Sequence, residues 1–276
     1  MRTDRTNRYR FGYSRKEMER LGNQHHIWAE ENRRLLARTG FGAGATLVDL
    51  GCGPGYTTIE LANLVGPEGR IIAVDRDSEG SLPLLKERSA AAGLLNIETI
   101  AADLETFDLP DSSVDGVYGR WVLMYLPERS VASTIARVAR WLRPGGVCTL
   151  AEFCNFRHIH IHPPCVHLPL VAEALFQAVQ GSRGCNPEIG SRVPGLLHSA
   201  GLRVELNVVT KTVRATTPEW HWPDALFRDH LQGLVAEGYL NRGVLDAFFM
   251  EWEQRSLDPE ALFFGSPLME AIGRRP

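Results

Sequence analysis

Three glycines stand at alternate positions, Gly51, Gly53 and Gly55, between an apolar run and an amphipathic one. Glycine loops that follow a strand often hold phosphate groups, because their backbone N–H groups can approach a ligand closely. Such a loop suits a nucleoside triphosphate, a dinucleotide, or a nucleoside ligand without phosphate. The neighbouring residues decide among these three.

The residue types around the loop argue against both phosphate ligands. A triphosphate loop needs a lysine beside its last glycine, and the sequence has no lysine between Lys16 and Lys86. A dinucleotide loop needs its third glycine one position later, where this chain has Tyr56. S-adenosylmethionine remains, since its amino acid and ribose need a close backbone. Gly51 and Gly53 would leave room for it and tolerate positive φ.

Three aspartates follow predicted strands and add to this interpretation. Asp49 precedes the loop, where it would repel a phosphate but could orient the loop or help to bind an ammonium through water. Asp75 ends an apolar run, where a carboxylate can accept hydrogen bonds from both ribose hydroxyls. Asp103 could accept from an adenine amino group while Leu104 offers the ring an apolar face. The pattern therefore predicts one ligand across several strand ends.

These side chains need alternating strands and helices to position them. The sequence predicts strands at 46–50, 70–75, 96–103, 114–119 and 147–153. Helical patterns at 56–65, 81–92 and 128–142 lie between them. Alternation of this kind is typical of a parallel, doubly wound sheet with right-handed crossovers.

The pattern differs at the two ends of the chain. Ser14 and Glu17 have the spacing of a capping box and predict a helix that continues to about Arg38. After Phe153 the alternation stops. The sequence there predicts helices at 170–180, 191–200, 218–237 and 242–253, and strands at 202–213 and 261–273.

Five segments in order carry a family resemblance: VDLGCGPG, IIAVDRD, IAADLETFDLP, DGVYGRWVLMYLP and RVARWLRPGG. Together they resemble the class I S-adenosylmethionine-dependent methyltransferases, in particular the small-molecule branch, over about residues 10–153. The resemblance implies an α/β fold with a doubly wound, seven-stranded, mostly parallel Rossmann-like sheet, an N-terminal helix and an inserted helical lid. Residues 202–213 and 261–273 would supply the last two strands as an antiparallel hairpin.

The resemblance also implies roles for individual residues. The three glycines would hold the methionine and ribose parts of S-adenosyl-L-methionine, and Arg120 would lie near the methionine carboxylate. The N-terminal helix would close over the cofactor, with Gln24 as a contact and Tyr13 as a weaker one. The complete expected cofactor set is Tyr13, Gln24, Asp49, Gly51, Gly53, Gly55, Asp75, Arg76, Asp103, Leu104 and Arg120.

A histidine-rich segment follows the predicted fifth strand. His158, His160 and His162 alternate with isoleucine, so an extended strand would place them on one face, with neighbours about 7 Å apart. Cys165 and His167 extend the set, but a closed zinc site needs groups that converge from elsewhere. We predict no metal. The histidines either face an acceptor pocket or form the exposed face of a lid strand.

Methyl transfer needs alignment of the reacting atoms and exclusion of water, and a hydroxyl or carbon acid as acceptor also benefits from a base. Segments 121–125 and 154–190 follow strands four and five and are the expected acceptor site. We predict His158, then His160, as the base, and Tyr125 as a group that orients the acceptor. Two aromatic groups could either line that pocket or pack within helices: Trp220, His221 and Trp222, and His25, His26 and Trp28.

Composition limits the classes of partner. The chain has 276 residues, 44% of them hydrophobic, and a net charge of −3, which gives no global basic field for nucleic acid. No apolar run reaches the roughly 20 residues needed to cross a bilayer. The five cysteines lack framework spacing and indicate reduced thiols in the cytoplasm.

The chain divides into three expected parts. These are an N-terminal arm and cap helix (1–45), a cofactor-binding core (46–153), and an acceptor-binding elaboration that includes the last two strands (154–276). A homodimer is compatible with this organisation. The predicted function is methyl transfer to a small organic acceptor in specialised metabolism, with O-methylation favoured over N or C. The rival is a protein of the same fold that binds the cofactor without transferring methyl.

Overall fold

The computed structural model describes Gly12, residues 14–181 and residues 183–276. Within this part, a seven-stranded sheet has the order β3-β2-β1-β4-β5-β10-β7, and it confirms the predicted fold class. Its strands are β1 (Thr46–Leu50), β2 (Arg70–Asp75), β3 (Ile97–Ala101), β4 (Val114–Arg120), β5 (Leu142–Phe153), β7 (Arg203–Val209) and β10 (Leu268–Arg274).

Helices alternate with the strands of the first half and dominate the second. They are α1 (Arg15–Ile27), α2 (Ala29–Thr39), α3 (Tyr56–Val65), α4 (Ser81–Ala91), α5 (Glu128–Trp141), α6 (Leu168–Gln180), α7 (Val193–Ser199), α8 (His221–Ala236) and α9 (Arg242–Ser256). In the described part of the chain, each helix is too short or too polar to cross a membrane.

The strand order explains where a ligand would bind. Strands β3, β2, β1, β4 and β5 are parallel, and β10 pairs antiparallel with both β5 and β7. The order reverses between β1 and β4, because the chain leaves β1 in one direction and returns on its other side. Ligands of open α/β sheets bind outside the carboxyl ends of the strands at such a reversal.

Apolar periodicity accounts for the layers on both faces of this sheet. Leu47 and Val48 of β1 are fully buried on opposite faces, as expected for a central strand covered by helices on both sides. In α5, Val131, Ile135 and Val138 follow the i, i+4, i+7 spacing and are at most 2% exposed. These two patterns fix β1 and its glycine loop within a rigid core.

Residues 202–213 and 261–273 supply the expected last two antiparallel strands, β7 and β10, but with only part of each segment. Each segment is divided between two sheets, since a second sheet in the described part has the order β6-β9-β8. Its strands are β6 (His160–His162), β8 (Thr212–Arg214) and β9 (Leu262–Phe264). Strand propensity predicts that each segment is extended, but it does not indicate to which of the two sheets each half belongs.

Gly265 marks the division between the two sheets. A Cβ at this position would lie 2.6 Å from the Trp222 ring, so a side chain would displace the indole. The Gly265 N–H donates to the Lys211 carbonyl at 2.9 Å, which pairs the two connecting segments. Close approach of Trp222 therefore requires a glycine where β9 leads into β10.

The N-terminal helical stretch is also divided. Ser14 caps α1 by accepting a hydrogen bond from the Glu17 N–H at 3.1 Å, which confirms the predicted start. The expected single helix, however, breaks at Trp28, which is 1% exposed. Its indole packs edge-on against Trp121 and Trp222, with ring centroids 5.7 and 5.6 Å apart. The break between α1 and α2 therefore coincides with a buried tryptophan.

Helices α6, α8 and α9 pack against one another and form the lid above the strand ends. Their shared core contains Phe227, Phe248 and Trp252, all fully buried and in mutual ring contact. The space between this lid, α1 and the carboxyl ends of the strands holds the candidate site.

Candidate functional site

A cavity of about 250 Å³ extends from the carboxyl ends of β1, β2, β3 and β4 to the underside of α6 and α8. Helix α1 covers one side of it with Met18, Leu21 and Gln24. Polar and charged residues line the end at the sheet, and apolar residues line the end at the lid. The two ends are described in turn.

The three glycines of the loop have different structural roles. All have positive φ, +61° at Gly51, +51° at Gly53 and +84° at Gly55, which a side chain would strain. A Cβ at Gly51 would overlap Val122, and one at Gly55 would overlap Leu85. Gly51 and Gly53 both line the cavity, but only Gly53 has open space within 4 Å of a Cβ. Gly53 is thus the position where a ligand can approach the backbone, and Gly55 packs α3 against α4.

Asp75 connects the end of β2 to the loop. Its Oδ2 accepts a hydrogen bond from the Gly53 N–H and its Oδ1 accepts one from the Asp77 N–H, each at 2.9 Å. Burial raises the pKa of the Asp75 carboxyl, and these backbone hydrogen bonds oppose the rise. Each oxygen retains a lone pair for a ligand hydroxyl. Arg76 also lines the cavity beside it.

Asp49 lies deeper, at the floor of the same end. It is 3% exposed, and its Oδ2 accepts a hydrogen bond from the Thr58 hydroxyl at 2.6 Å. Burial raises the pKa of Asp49 to about 7, although the Thr58 hydrogen bond and the Arg120 charge oppose the rise. Near neutral pH the carboxyl therefore exchanges between a charged acceptor and a neutral one.

Asp103 and Leu104 form the corner after β3. The Asp103 Oδ1 accepts a hydrogen bond from the Glu105 N–H at 2.9 Å, which fixes a tight turn. Leu104 is 7% exposed, and both residues line the cavity. This corner combines a carboxylate with an apolar surface, which suits the edge and the face of a purine.

Arg120 ends β4 and reaches the same end of the cavity. Its Nη2 lies 2.8 Å from His25 Nδ1 of α1 and donates to the Thr57 hydroxyl at 3.2 Å. The guanidinium also lies over the Trp121 ring, 4.6 Å from its centroid. Contacts on three sides thus fix the orientation of this cation.

The predicted contacts from the N-terminal region differ in their placement. Gln24 lines the cavity, and its Oε1 accepts a hydrogen bond from Arg20 Nη1 at 2.8 Å. Tyr13 lies outside the residues that the structure describes. The structure therefore brings ten of the eleven predicted cofactor residues into one region and, of these ten, places Gly55 behind the cavity wall.

Aromatic and aliphatic side chains line the other end, which we call the aromatic chamber. Its residues are Trp121, Phe153, Phe156, Ile159, Leu175, Val179, Trp222, Leu226 and Phe263. Trp121 stacks on Phe153 with centroids 5.6 Å apart, and Trp222 meets Phe263 edge-on at 6.0 Å. The nearby Ser266 hydroxyl donates to the Phe156 carbonyl at 2.8 Å. The chamber therefore favours an apolar ligand.

The sequence leaves open whether the tryptophans of the EWHWPD segment line the pocket or pack within helices, and the structure places one in each environment. Trp222 lines the chamber. Trp220 instead stacks on Trp252 within the lid, with ring centroids 4.7 Å apart. One residue thus belongs to the site and the other to helix packing.

The segment after β4 joins the two ends of the cavity. Trp121 has φ +54°, a strained value for a bulky side chain, and its N–H donates to the Ala151 carbonyl at 3.0 Å. Glu152 Oε1 accepts hydrogen bonds from the Val122 and Leu123 N–H groups at 2.8 and 2.7 Å. Burial raises the pKa of Glu152 to about 7, against these hydrogen bonds. This carboxyl clamps the strained segment in place.

The predicted catalytic residues are not all brought to the cavity. Tyr125 lines it. His158 and His160 are exposed and do not line it, and His160 stacks on Phe264 with centroids 4.4 Å apart. The alternating isoleucines Ile159 and Ile161 point inward instead, because the core selects the apolar face of the segment. This placement corrects the expectation of a histidine base at the acceptor site.

Sequence reasoning missed several residues that shape the site. Glu60 lies on α3, and no local pattern connects it to Arg120. His25, which the sequence leaves open between the pocket and helix packing, lines the cavity, but its contact with Arg120 has no local signal. Glu152 did carry a signal, since a lone carboxylate ends the otherwise apolar run VCTLAEF. A carboxylate buried in a central strand usually has backbone or charged partners.

The donor set fits S-adenosylmethionine at the sheet end of the cavity. The Arg120 cation suits the methionine carboxylate, Asp75 the ribose diol, and the Asp103–Leu104 corner the adenine. The open space at Gly53 lies between these groups.

Comparison with known proteins gives an independent assignment. Residues 47–146 match a family model described as a methyltransferase domain. Trans-aconitate 2-methyltransferase of Azoarcus sp. is 37% identical over 124 residues, which cover 45% of this chain and 45% of that protein. The chain thus spans about half the length of the curated relatives it matches.

Solved structures share the fold. The chain superposes on phosphoethanolamine N-methyltransferase 2 of Haemonchus contortus, bound to S-adenosylhomocysteine, with a TM-score of 0.57 and 15% identity, over 92% of this chain and 56% of that one. It also superposes on the [4+2]-cyclase SpnF with a TM-score of 0.55 and 17% identity, over 90% and 80% of the two chains. Residues 47–146 are thus similar in sequence to methyltransferase domains, and the chain shares its fold with these solved structures.

Proposed function

We propose that this protein transfers a methyl group from S-adenosyl-L-methionine to a small, largely apolar acceptor bound in the aromatic chamber. The observation that carries the proposal is the continuity of the cavity. It joins the donor set at the glycine loop to the chamber, with Arg120 and Trp121 adjacent at the junction. Two ligands bound at these ends would meet in one continuous space.

The cofactor supplies an electrophilic methyl group on a sulfonium, and the protein needs to bind, align and exclude water. In our proposal, Asp75 binds the ribose hydroxyls, Asp103 and Leu104 hold the adenine, and Arg120 pairs with the methionine carboxylate. Gly53 lets the backbone approach. The aromatic side chains of the lid hold the acceptor and keep water from it.

The composition of the chamber restricts the acceptor. Among the described residues that line this end, none carries a carboxylate, an imidazole or an amine. An acceptor with several negative charges would lose hydration there without gaining ion pairs. We therefore expect no turnover of trans-aconitate, a tricarboxylate, although it gives a relative its name.

The same composition bears on the nucleophile. Without a basic side chain in the chamber, a hydroxyl acceptor must itself be acidic enough to supply an anion. A phenol or an enol meets this condition, and in our proposal its oxygen receives the methyl group. Tyr125 lines the cavity, and in our proposal its ring and hydroxyl orient the acceptor oxygen towards the cofactor.

The remaining expectations from the sequence stay predictions. They are the division at residues 45 and 153, a cytoplasmic location, a role in specialised metabolism and a homodimer. The division is supported by the contributions to the cavity, since the core supplies the donor set and residues after 153 supply most of the chamber.

A second candidate is a protein that binds the cofactor but catalyses a reaction without methyl transfer, or only binds. The chamber without a base favours it. A cyclase named among the solved structures shows that this fold occurs in a protein named for a different reaction.

One experiment separates the two candidates. The protein is incubated with S-adenosylmethionine and either 1-naphthol, its carboxylic acid analogue 1-naphthoic acid, or trans-aconitate, and release of S-adenosylhomocysteine is measured. Release with 1-naphthol and not with the acids supports the proposal. Tight binding of S-adenosylhomocysteine without release from any phenol or enol tested would favour the second candidate.

A further inference from the structure

His25 of α1 lies beside Arg120, and both residues line the cavity. Its ring is enclosed on three sides. It stacks on Tyr56, with centroids 5.4 Å apart and planes 20° from parallel. Its Nδ1 faces Arg120 Nη2 at 2.8 Å, and its Nε2 faces Glu60 Oε1 at 3.2 Å. These contacts connect helices α1 and α3 to the end of β4.

The chemistry of the partners fixes the hydrogen-bond directions. A guanidinium has donors and no acceptor, so His25 Nδ1 must accept the hydrogen bond from Arg120. The Nε2 then carries the proton of the neutral ring and donates to the Glu60 carboxylate. In this neutral tautomer, His25 therefore bridges the Glu60 carboxylate and the Arg120 guanidinium, with one hydrogen bond to each.

Glu60 is itself held by a second helix. Its Oε2 accepts a hydrogen bond from Asn32 Nδ2 of α2 at 2.6 Å, and Asn32 Oδ1 accepts one from the Tyr118 hydroxyl. Burial would raise the pKa of Glu60, but hydrogen bonds from His25 and Asn32 lower it overall. Glu60 thus remains an anion, and it does not line the cavity.

These contacts restrain the Arg120 side chain. One nitrogen, Nη2, is used by His25 and Thr57, and the Trp121 ring lies against the guanidinium. A guanidinium held in this way presents its remaining donors in one direction, which lowers the entropy lost on binding a carboxylate. A free side chain on β4 would have to be ordered by the ligand itself.

We propose that His25 is a positioning residue for the cofactor: from the cap helix, it aims Arg120 at the methionine carboxylate and so makes docking of α1 part of cofactor recognition. The inference rests on the proposed function, because it takes the carboxylate of S-adenosylmethionine as the ligand of Arg120. His25 acts through Arg120, and Glu60 acts through His25.

The test compares two ligands that differ in the amino acid part. S-adenosylhomocysteine carries the carboxylate, and 5′-methylthioadenosine has the same nucleoside without it. In calorimetry, His25→Phe should lower the affinity for S-adenosylhomocysteine by about tenfold, because the variant loses a hydrogen bond to a charged group. Its affinity for 5′-methylthioadenosine should stay within about twofold of the wild type. His25→Gln, whose amide can accept from Arg120 and donate to Glu60, should restore most of the affinity.

Matched variants separate positioning from helix stability. His26→Phe, at the exposed neighbouring position of α1, should change neither ligand. Glu60→Gln, outside the cavity, should lower the affinity for S-adenosylhomocysteine by about threefold and leave the affinity for 5′-methylthioadenosine unchanged. In an Arg120→Met background, His25→Phe should have no further effect on S-adenosylhomocysteine.

Each outcome bears on the inference. Equal losses for both ligands in His25→Phe would mean that His25 only attaches α1, and would overturn it. An unchanged affinity for S-adenosylhomocysteine would also overturn it, while the proposed function would stand. Failure of the wild-type protein to bind S-adenosylhomocysteine would overturn the proposed function, and the inference with it. Should His25→Phe fail to fold, the Glu60→Gln measurement decides.

Discussion

The two ends of the cavity are built in different ways. The sheet end consists of backbone turns and charged side chains, each with hydrogen-bond partners, such as Asp75 on the Gly53 N–H. The chamber end consists of side chains from segments that are distant in the sequence, such as Phe153, Trp222 and Phe263. The sheet end can thus specify one ligand by hydrogen bonds, whereas the chamber selects by shape and hydration.

The variant with the largest expected effect disrupts the sheet end of the cavity. Asp75→Ala removes both the clamp on the loop and the ribose acceptors, and it should weaken S-adenosylhomocysteine by about 100-fold in calorimetry. Binding of 1-naphthol in the chamber should change little. Asp111→Ala, an exposed position with a salt bridge to Arg140, is the control. An unchanged S-adenosylhomocysteine affinity for Asp75→Ala would remove the ribose assignment.

The second effect concerns the junction and depends on pH. Burial raises the pKa of folded Glu152 to about 7, whereas its ordinary value is 4.5. Between these values the folded protein keeps a proton that the unfolded chain releases, so this group makes the free energy of unfolding fall as pH rises from about 4.5 to 7. Glu152→Gln should remove about 2 kcal/mol of that decline.

Denaturant unfolding at pH 5 and pH 8 measures this effect. The exposed Glu98→Gln on β3 serves as the control and should keep the pH dependence of the wild type. A decline of the same size in Glu152→Gln and the wild type would contradict the burial argument.

The third prediction concerns a variant that disrupts the aromatic chamber. Trp222→Leu removes an aromatic side chain from the chamber, and it should lower the affinity for 1-naphthol by about tenfold. The affinity for S-adenosylhomocysteine should stay within about twofold of the wild type. Trp220→Leu is a matched control, because Trp220 is about equally buried but stacks within the lid. Both variants should lose stability. Equal affinity of the two for 1-naphthol would show that Trp222 does not form the acceptor site.

The smallest effect distinguishes the sequence expectation from the structure. A double variant, His158→Ala with His160→Ala, should keep kcat and KM within about twofold of the wild type, because both side chains are exposed and outside the cavity. Steady-state kinetics with the best acceptor measures this. A loss of kcat of about 100-fold would reinstate a histidine base.

Local patterns allowed the sheet end to be predicted. Asp75 and Asp103 were assigned from their places at strand ends, since parallel strands bring their carboxyl ends to one edge. The chamber could not be predicted in this way. It depends on how β9 and β10 divide at Gly265, and residue preferences reveal extended structure without the identity of its neighbours.

Two details show what the sequence contained and what it did not. The alternation of Ile159 and Ile161 with histidines already implied that the apolar face would turn inward, so the exposed histidines were predictable. The contact between His25 and Arg120 was not, because the two residues are 95 positions apart and lie on elements of different type. Such pairs depend on tertiary packing.

The two segments beside Gly265 have a consequence for how the chain can change. The polypeptide leaves the main sheet between β7 and β8 and returns between β9 and β10, and the two passages are joined by the Gly265–Lys211 hydrogen bond. Everything between them, including α8 and Trp222, is a closed excursion from a hairpin whose register is set elsewhere. Insertions and substitutions in that excursion can reshape acceptor selectivity while β7, β10 and the cofactor end keep their geometry.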